Sequence, residues 1–348
     1  MRYKLLGRSG LRVSEICLGT MTFGEEWGWG STKEESARVF TAFAEAGGNF
    51  LDTANRYTEG TSEKYLGQFI ATERERFVLA TKFTMNERPK DPNGGGNQRK
   101  CMMQALEGSL KRLQTEYIDL YWLHAWDFMT PVDEVMRALD DAVRAGKVFY
   151  VGISDAPAWI VSQANTMADL KGWSPFVALQ IQYSLVERTP ERDLLPMAQA
   201  LDLAVTPWSP LGGGLLTGKY KAAADRPAGA RLAQSPWGDR FKTERNLRIA
   251  QEVAAVAKEA GCTAAQVALA WMRQQPRGIL IPIVGARNVL QLKDNLGCLC
   301  VQLSADQLAR LDALSKIELG FPHDYLTMGK SYVFGETLPL IDSHRALK

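Results

Sequence analysis

The sequence predicts an α/β protein with a (β/α)8 fold, the TIM barrel. Two observations carry this prediction: eight short apolar runs rich in β-branched residues recur along the chain, and helical patterns lie between them. Several runs are nearly unbroken, which is typical of strands buried on both faces of a sheet. Alternation of strand and helix indicates parallel strands joined by helices, and eight such units close a barrel.

Each apolar run is about as long as a β-strand. The eight predicted strands are residues 16–20, 49–54, 77–83, 118–124, 149–154, 176–183, 203–210 and 278–286. The clearest helical patterns between them are residues 32–47, 99–113, 131–146 and 189–201. In the first of these, Phe40 and Phe43 fall on one face and a glycine ends the pattern. Pro131 and Pro190 stand in first turns, where a helix tolerates proline.

Three segments lie outside the repeating pattern. Residues 2–14 predict a hairpin that covers the bottom of the barrel. Residues 211–243 form a long Gly- and Pro-rich segment after the seventh strand, and loops of this kind are usually functional or disordered. Residues 319–348 show no clear periodicity and are expected to be a C-terminal tail. No internal repeat or linker divides the chain, so we expect residues 1–348 to form a single domain.

Composition excludes several classes of function. The net charge is +2 over 348 residues, and no cluster of basic residues with interleaved aromatics predicts binding to nucleic acid or to an anionic membrane. The first residues lack the apolar core of a signal peptide, and no apolar run reaches the ~18–20 residues that span a bilayer. Five cysteines and three histidines predict neither a disulfide framework nor a metal site. Cys298 and Cys300 could form a redox pair, but reduced thiols in a cytoplasmic protein are favoured.

Four ionisable residues follow three neighbouring predicted strands. Asp52 lies near the end of the second strand, Tyr57 in the loop after it, Lys82 near the end of the third and His124 at the end of the fourth. A lone buried lysine or histidine is more often a paired core residue than a catalyst. In a barrel, however, the carboxyl ends of the strands carry the active site. An aspartate keeps a nearby lysine charged, and that charge lowers the pKa of a tyrosine from about 10. The four together therefore favour proton-transfer chemistry.

Seven motifs resemble the aldo-keto reductase superfamily, in the same order and spacing from residue 3 to about 315. They are LDTANRY, LATKF, DLYWLH, VGISD, LQIQYSLVER, PWSPLGGGLLTGKY and GARNVLQLKDN. The chain is most similar to the aryl-alcohol-dehydrogenase-like and potassium-channel β-subunit branches. This resemblance implies reversible reduction of aldehydes or ketones to alcohols by hydride from a nicotinamide cofactor, with no metal. It makes Tyr57 the general acid, Lys82 the residue that tunes it, Asp52 the partner of Lys82, and His124 the residue that orients the carbonyl.

The resemblance also implies a cofactor site along the carboxyl ends of the strands, since no dinucleotide-binding fingerprint is present. The implied contacts are Gly19, Thr20, Met21, Asp52, Ser154, Asp155, Gln180, Trp208, Ser209, Pro210, Leu211, Gly212, Leu215, Lys219, Arg231, Gly285, Arg287, Gln291, Asp294 and Asn295. Trp208 is expected to stack on the nicotinamide, with a core aromatic as the alternative. Arg287 offers a planar charged group for a 2′-phosphate, which favours NADP(H) and leaves NAD(H) open as a second cofactor.

One residue departs from the family pattern. Position 155 is Asp where many members carry Asn, and an ionised carboxylate cannot donate to a carboxamide oxygen. Asp155 either accepts from the carboxamide NH2 or turns elsewhere.

The substrate is expected to be a small-molecule carbonyl or alcohol. Four aromatic residues on loops after the first and fourth strands could line a hydrophobic pocket, or equally pack against the tail: Phe23, Trp27, Trp29 and Trp126. A second hypothesis is an NADPH-sensing regulatory subunit with a reductase-like fold; that branch usually has Asn where this chain has His124, which favours the enzyme. An unrelated barrel hydrolase or isomerase would need paired carboxylates or a metal cluster on the rim. Oligomeric state is left open.

Overall fold

The computed structural model describes residues 1–220, 222, 224–225 and 241–342. The chain forms two compact units, Met1–Ser315 and Lys316–Lys348, and the first of them contains the barrel. The expectation of a single domain over 1–348 therefore stays a prediction. No helix in the described part of the chain is both long and apolar enough to cross a membrane.

An antiparallel hairpin precedes the barrel, as predicted. Its strands are β1 (Tyr3–Leu5) and β2 (Arg12–Ser14). The turn between them contains Gly7 at φ +58°, where a Cβ atom would lie 2.3 Å from the carbonyl oxygen of Val177. Leu6 and Val13 are fully buried together with apolar residues from the barrel interior. The hairpin thus closes the amino end of the barrel.

Eight parallel strands form one sheet, and the predicted (β/α)8 barrel is confirmed. The strands are β3 (Cys17–Gly19), β4 (Phe50–Asp52), β5 (Val78–Phe83), β6 (Ile118–Leu123), β7 (Val148–Ser154), β8 (Phe176–Gln182), β9 (Ala204–Trp208) and β10 (Ile283–Gly285). They pair in the order β10-β3-β4-β5-β6-β7-β8-β9. Val205 of β9 closes the circle, because its backbone bonds to Ile279 at 2.8 Å and Ile281 at 2.9 Å, just before β10.

Alternation along these strands decides which side chains point into the barrel. Lys82 lies opposite Trp122, and Trp122 lies opposite Gly152, so the three share the interior face. A Cβ atom at Gly152 would lie 2.4 Å from the Trp122 ring, so this strand position has room for nothing larger than glycine. Because side chains repeat every second residue, Ser154 and His124 point to the same interior, two residues further towards the carboxyl ends.

Helices surround the sheet. In the first unit they are α1 (Lys33–Glu45), α2 (Thr61–Ile70), α3 (Arg99–Leu113), α4 (Val132–Arg144), α5 (Ala158–Lys171), α6 (Leu194–Ala200), α7 (Glu244–Ala260), α8 (Ala264–Arg273), α9 (Val289–Leu296) and α10 (Ala305–Ser315). Thr32 caps α1 by accepting a hydrogen bond from the Glu35 amide, and Phe40 and Phe43 are buried on its inner face, as predicted.

The helix predicted over 189–201 is wrong in extent. The structure has a short 3-10 turn at Thr189–Glu191, then α6, which begins only at Leu194. Asp193 between them has φ −142°, which is not helical. Pro190 and Pro196 each occupy a first turn, so the segment divides into two short helical pieces.

The segments predicted without regular structure prove partly helical. The segment 211–243 begins with a 3-10 turn at Gly212–Thr217, and residues 221, 223 and 226–240 lie outside the described residues. In the second unit, the expected tail contains α11 (His323–Phe334) and a 3-10 turn at Gly335–Leu340. The apolar residues of this helix are largely exposed, so burial of an apolar face does not account for it, and the sequence did not predict it.

Candidate active site

A fully buried lysine lies at the carboxyl end of β5. The Lys82 ammonium donates to Asp52 Oδ2 at 2.5 Å, to the Thr53 carbonyl oxygen at 2.7 Å and to the Tyr57 hydroxyl at 3.2 Å. These three bonds use its three N–H donors. Burial lowers the pKa of Lys82, but the Asp52 carboxylate and the Tyr57 hydroxyl outweigh burial and leave the pKa raised. Lys82 is therefore a charged group in the barrel interior.

Asp52 joins three strands. Its Oδ2 accepts from Lys82 of β5, and its Oδ1 accepts from Gln180 Nε2 of β8 at 2.9 Å. Both oxygens are thus occupied, and the carboxylate is nearly inaccessible to solvent. A buried ion pair is stable only when its remaining polar atoms are satisfied in this way. The pair accordingly fixes the position of the lysine nitrogen below Tyr57.

The loop that carries Tyr57 has an unusual backbone. Thr58, Glu59 and Gly60 follow it with φ of +45°, +56° and +87°, three left-handed residues in succession. A β-branched residue is seldom found in this region of φ/ψ space. Thr58 is held there because its buried hydroxyl donates to the Phe23 carbonyl oxygen at 2.6 Å and accepts from the Ser62 amide at 3.2 Å. The turn points Tyr57 back over β5.

His124 follows β6 and faces Tyr57. The two rings are 6.0 Å apart between centroids and nearly perpendicular. Burial and the nearby Lys82 charge hold the pKa of His124 well below its usual 6.5, although the ring edge remains accessible from the site. His124 Nδ1 has no hydrogen-bond partner among the described residues. The imidazole is therefore neutral and has a polar atom directed at no protein group.

These residues open onto one cavity of about 510 Å³. Its lining includes most of the predicted site residues: Gly19, Met21, Asp52, Tyr57, His124, Ser154, Asp155, Gln180, Trp208, Ser209, Pro210, Leu211, Lys219, Gly285, Arg287, Gln291, Asp294, Asn295 and Trp29. They come from different strand ends and from α9, so the fold brings residues together from nearly the whole length of the first unit.

The end of the cavity beside β7 and β9 contains Ser154, Asp155 and Trp208. The Trp208 indole donates from Nε1 to Asp155 Oδ1 at 3.1 Å. Burial raises the pKa of Asp155 to about 6, against the opposing effects of this bond and of Lys82. The buried Ser154 hydroxyl has no partner among the described residues. The carboxylate of Asp155 thus turns to Trp208 and accepts a hydrogen bond from its indole.

The other end of the cavity lies at α9. Asn288 caps this helix, and the Gln291 side chain accepts from the Arg287 amide at 3.0 Å. Burial and the charge of Arg287 lower the pKa of Lys219. Two cations therefore lie close enough to repel each other, an arrangement that favours an anion between them.

Several predicted residues lie away from the cavity. Phe23 is wrong as a substrate contact, because it is fully buried in the core and packs edge-on against Phe69. Thr20 is buried and its hydroxyl donates to the Asp52 carbonyl oxygen at 3.0 Å, so it supports the site from behind. The side chain of Leu215 is buried in the same core.

Three more predicted residues are absent from the cavity lining: Trp27, Trp126 and Gly212. Trp27 is outside the cavity lining and packs edge-on against Tyr57, with 6.4 Å between ring centroids. Trp126 packs against the core and Gly212 is buried, so neither lines the cavity. Arg231 lies outside the described residues.

The chain is similar to known proteins over most of its length. The sequence pattern of the Aldo/keto reductase family matches residues 15–316. The chain belongs to the aldo/keto reductase family. A norsolorinic acid reductase of Emericella nidulans is 38% identical over 91% of this chain and 82% of its own. An aryl-alcohol dehydrogenase of Pestalotiopsis microspora is 37% identical over 94% of this chain and 86% of its own. An aryl-alcohol dehydrogenase (NADP+) of Phanerodontia chrysosporium is 36% identical over 93% of this chain and 88% of its own.

The family and these relatives make the chain an oxidoreductase. In this aldo/keto reductase the cavity also has lining residues that sequence reasoning missed: Thr22, Gly213, Gly214, Thr217, Ala265, Ile283, Val284 and Ala286. Ile283 could have been found, since it lies on the interior face of β10 two residues before Gly285. Ala265 could not have been found from the sequence, because it lies on α8 and not at a strand end, and only the packing of the folded chain brings this helix to the cavity.

Proposed function

We propose that this aldo/keto reductase is an NADP(H)-dependent enzyme that reversibly reduces aldehydes or ketones to alcohols. The observation that carries the proposal is the contact between the charged Lys82 nitrogen and the Tyr57 hydroxyl at the wall of the large cavity. A tyrosine beside a buried cation is suited to give up a proton near neutral pH.

Four side chains of the site have separate roles in the reduction. The bound reduced nicotinamide supplies a hydride to the carbonyl carbon. Tyr57 donates its hydroxyl proton to the carbonyl oxygen, which completes the alcohol, and the Lys82 ammonium stabilises the phenolate that remains. Asp52 keeps Lys82 protonated and in place. His124, being neutral, donates one N–H to the carbonyl oxygen and polarises it; the reverse sequence of proton movements serves alcohol oxidation.

The cavity wall suits a dinucleotide at both ends. Ser154 has a buried hydroxyl with no partner among the described residues, which could bond to a carboxamide, and the half-buried Trp208 offers a face for the nicotinamide ring. Lys219 and Arg287, with Gln291 and Asn295 on α9, would hold the phosphates and adenosine. The cation pair supports NADP(H), as does the name of the Phanerodontia chrysosporium relative, with NAD(H) as a weaker second cofactor.

The substrate we propose is an aromatic carbonyl compound or alcohol. Trp29 and Tyr57 contribute aromatic surface to the cavity, and Trp27 packs against both of them. The relatives named for aryl alcohols and norsolorinic acid point the same way. The proposal includes a cytoplasmic enzyme, which agrees with five unpaired cysteines, and no partner other than small molecules. The regulatory-subunit alternative gains no observation of its own, while His124 at the cavity favours the enzyme.

The test is a substrate panel. Aryl aldehydes, aliphatic aldehydes and ketones are incubated with NADPH, and loss of the reduced-cofactor absorbance is followed with wild-type protein and Tyr57→Phe. We expect the fastest turnover with aryl aldehydes and its loss in the variant. Binding of NADPH without turnover of any carbonyl compound would instead favour the regulatory function.

A further inference from the structure

We propose that Asp155 raises the affinity of the cavity for the oxidised nicotinamide cofactor, whose ring carries a positive charge, relative to the reduced cofactor, whose ring is neutral. The inference rests on the proposed function, since it takes the end of the cavity at Trp208 as the nicotinamide site. It assigns to Asp155 a role that a neutral Asn in the same place could not perform.

The structure fixes the position of the Asp155 carboxylate. The residue has φ +42°, so the chain turns sharply after β7, and its amide donates to the Gln180 carbonyl oxygen at 3.1 Å. Its own carbonyl oxygen accepts from the Trp126 amide at 3.3 Å. The side chain is held by the Trp208 indole at 3.1 Å. A nicotinamide ring stacked on that indole would therefore lie beside the carboxylate.

The other ionisable groups near Asp155 are neutralised, or they lie at the far end of the cavity. Asp52 and Lys82 form a neutral pair, and His124 is uncharged because its pKa is well below the ordinary value. Lys219 and Arg287 act on each other at the α9 end of the cavity. Among the described residues that line the nicotinamide end of the cavity, Asp155 thus carries a negative charge that no counter-ion contacts.

A charge at this point separates the two redox forms. The oxidised nicotinamide ring carries a positive charge and the reduced ring is neutral, whereas the ribose, phosphates and adenine are the same in both. Contacts at the α9 end therefore cancel in the ratio of the two affinities, and the interaction with Asp155 does not. Coulomb attraction over a few ångströms in a partly enclosed site is sufficient for about a tenfold effect, which equals about 1.4 kcal/mol.

Asp155 affects which side of the reaction is favoured on the enzyme. The oxidised cofactor is formed together with the alcohol, so its tighter binding lowers the free energy of the enzyme complex that holds the alcohol. Asp155 therefore shifts the equilibrium on the enzyme towards carbonyl reduction, relative to the variant Asp155→Asn. An asparagine side chain at this position would retain the acceptor oxygen for Trp208 and would tolerate the left-handed backbone. The substitution removes the charge and replaces one acceptor oxygen by an NH2 donor, but the carboxamide that this donor could meet is the same in both redox forms.

The selectivity is expected to depend on pH. The pKa of Asp155 is about 6, so the carboxylate is largely ionised at pH 7.5 and largely protonated at pH 5. The groups that face it are Lys82 from β5, His124 from β6, Trp208 from β9, and Asp52 and Tyr57 from β4 and its loop. Lys82 stays charged over this interval because its pKa is raised, and burial together with the Lys82 charge lowers the pKa of His124 and so favours its neutral form. The adenosine 2′-phosphate also titrates near pH 6, but equally in both cofactors.

The experiment measures dissociation constants of NADP+ and NADPH by quenching of tryptophan fluorescence. Wild type and Asp155→Asn are compared at pH 7.5, and wild type is also titrated at pH 5, with rapid measurement because NADPH decays in acid. We expect the affinity ratio to shift about tenfold towards NADPH in the variant, and by a similar factor in wild type at pH 5. The control Asp294→Asn removes a carboxylate from α9 and should change both affinities by the same factor.

The outcomes are distinguishable. If both cofactors bind with a ratio that neither Asp155→Asn nor acid changes, this inference is overturned and the proposed function stands. If wild type binds neither cofactor, both are overturned. The pH titration of wild type decides the question even if Asp155→Asn does not fold.

Discussion

The two ends of the barrel are built on different principles. At the amino end, most of the polar groups that meet the strands are paired: Glu15 accepts from Arg273 at 2.8 Å and from the Arg2 amide at 2.8 Å, and Asn49 accepts from the Ser14 amide at 2.7 Å. Arg273 Nε is the exception, with no partner among the described residues. At the carboxyl end, the buried hydroxyl of Ser154 and the Nδ1 atom of His124 have no partner among the described residues. A buried polar atom without a partner costs about 1–3 kcal/mol.

Backbone strain shows the same contrast. Among the described residues, eight non-glycine residues have positive φ, and six of them follow the carboxyl ends of strands: Thr58, Glu59, Thr84, Phe128, Asp155 and Ser209. The other two, Gln114 and Asp202, lie elsewhere. Strain of this kind persists where the surroundings enforce it and is concentrated at functional sites. The amino end thus contributes stability, and the carboxyl end gives up some stability for chemistry.

The largest expected effect is at Tyr57. Tyr57→Phe removes the proton donor and leaves the cavity shape nearly unchanged, so kcat should fall by about 10²–10⁴-fold while NADPH affinity stays near that of wild type. Steady-state kinetics and fluorescence titration check the two parts. A variant that keeps more than about a tenth of wild-type turnover, with chemistry rate-limiting, would show that another group gives the proton.

Lys82→Met tests whether the lysine charge next to Tyr57 is needed for turnover. The substitution removes the charge next to the hydroxyl, so turnover should fall and the pH–rate profile should shift. It also leaves Asp52 buried without its counter-ion, which should cost about 3–5 kcal/mol of folding free energy. Denaturant unfolding measures the second effect. A stable, active variant with an unshifted profile would remove Lys82 from the mechanism.

Arg287→Ala examines the binding part of the carboxyl end. A charge-assisted hydrogen bond to a 2′-phosphate contributes about 1.5–3 kcal/mol, so NADPH affinity should fall roughly ten- to a hundredfold. NADH lacks that phosphate and should bind about as before. Equal losses for the two cofactors would mean that Arg287 supports α9, and a wild type that prefers NADH would refute the NADP assignment.

Glu15→Gln is the contrasting change at the amino end. Despite the cost of burial, the bonds from Arg273 and Arg2 hold the pKa of Glu15 below 4.5. A lowered folded-state pKa contributes stability above the unfolded pKa, and this is lost as pH falls through the folded value. The variant should therefore lose about 1–3 kcal/mol near pH 7 and keep kcat/KM, and the deficit should shrink as the pH falls below 4.5 through the lowered pKa of Glu15. Loss of activity without loss of stability would contradict the division between the two ends.

Sequence patterns were sufficient for the parts of the site that depend on strand alternation. Asp52, Lys82 and His124 lie where apolar runs end, and the period of two places them on one interior face. The contact between Asp155 and Trp208 could not be predicted, because it joins loops separated by 53 positions in the chain. Nor could the left-handed turn at Thr58, which depends on a hydrogen bond to the distant Phe23 carbonyl. The sequence predicted both Phe23 and Trp29 as residues of the substrate pocket. Only the packing of the folded chain separates them, because Phe23 is buried in the core and Trp29 lines the cavity.

A single-turnover experiment tests the central claim, that the carboxyl end joins hydride transfer to proton transfer from Tyr57. Wild-type enzyme saturated with NADPH is mixed rapidly with benzaldehyde, and both cofactor absorbance and product are measured. We expect bound NADPH to disappear in one phase, with one equivalent of benzyl alcohol formed, and Tyr57→Phe to retain bound NADPH over the same time. Wild type that holds NADPH, shown by fluorescence, yet leaves it unoxidised with every carbonyl compound of the panel would contradict the account.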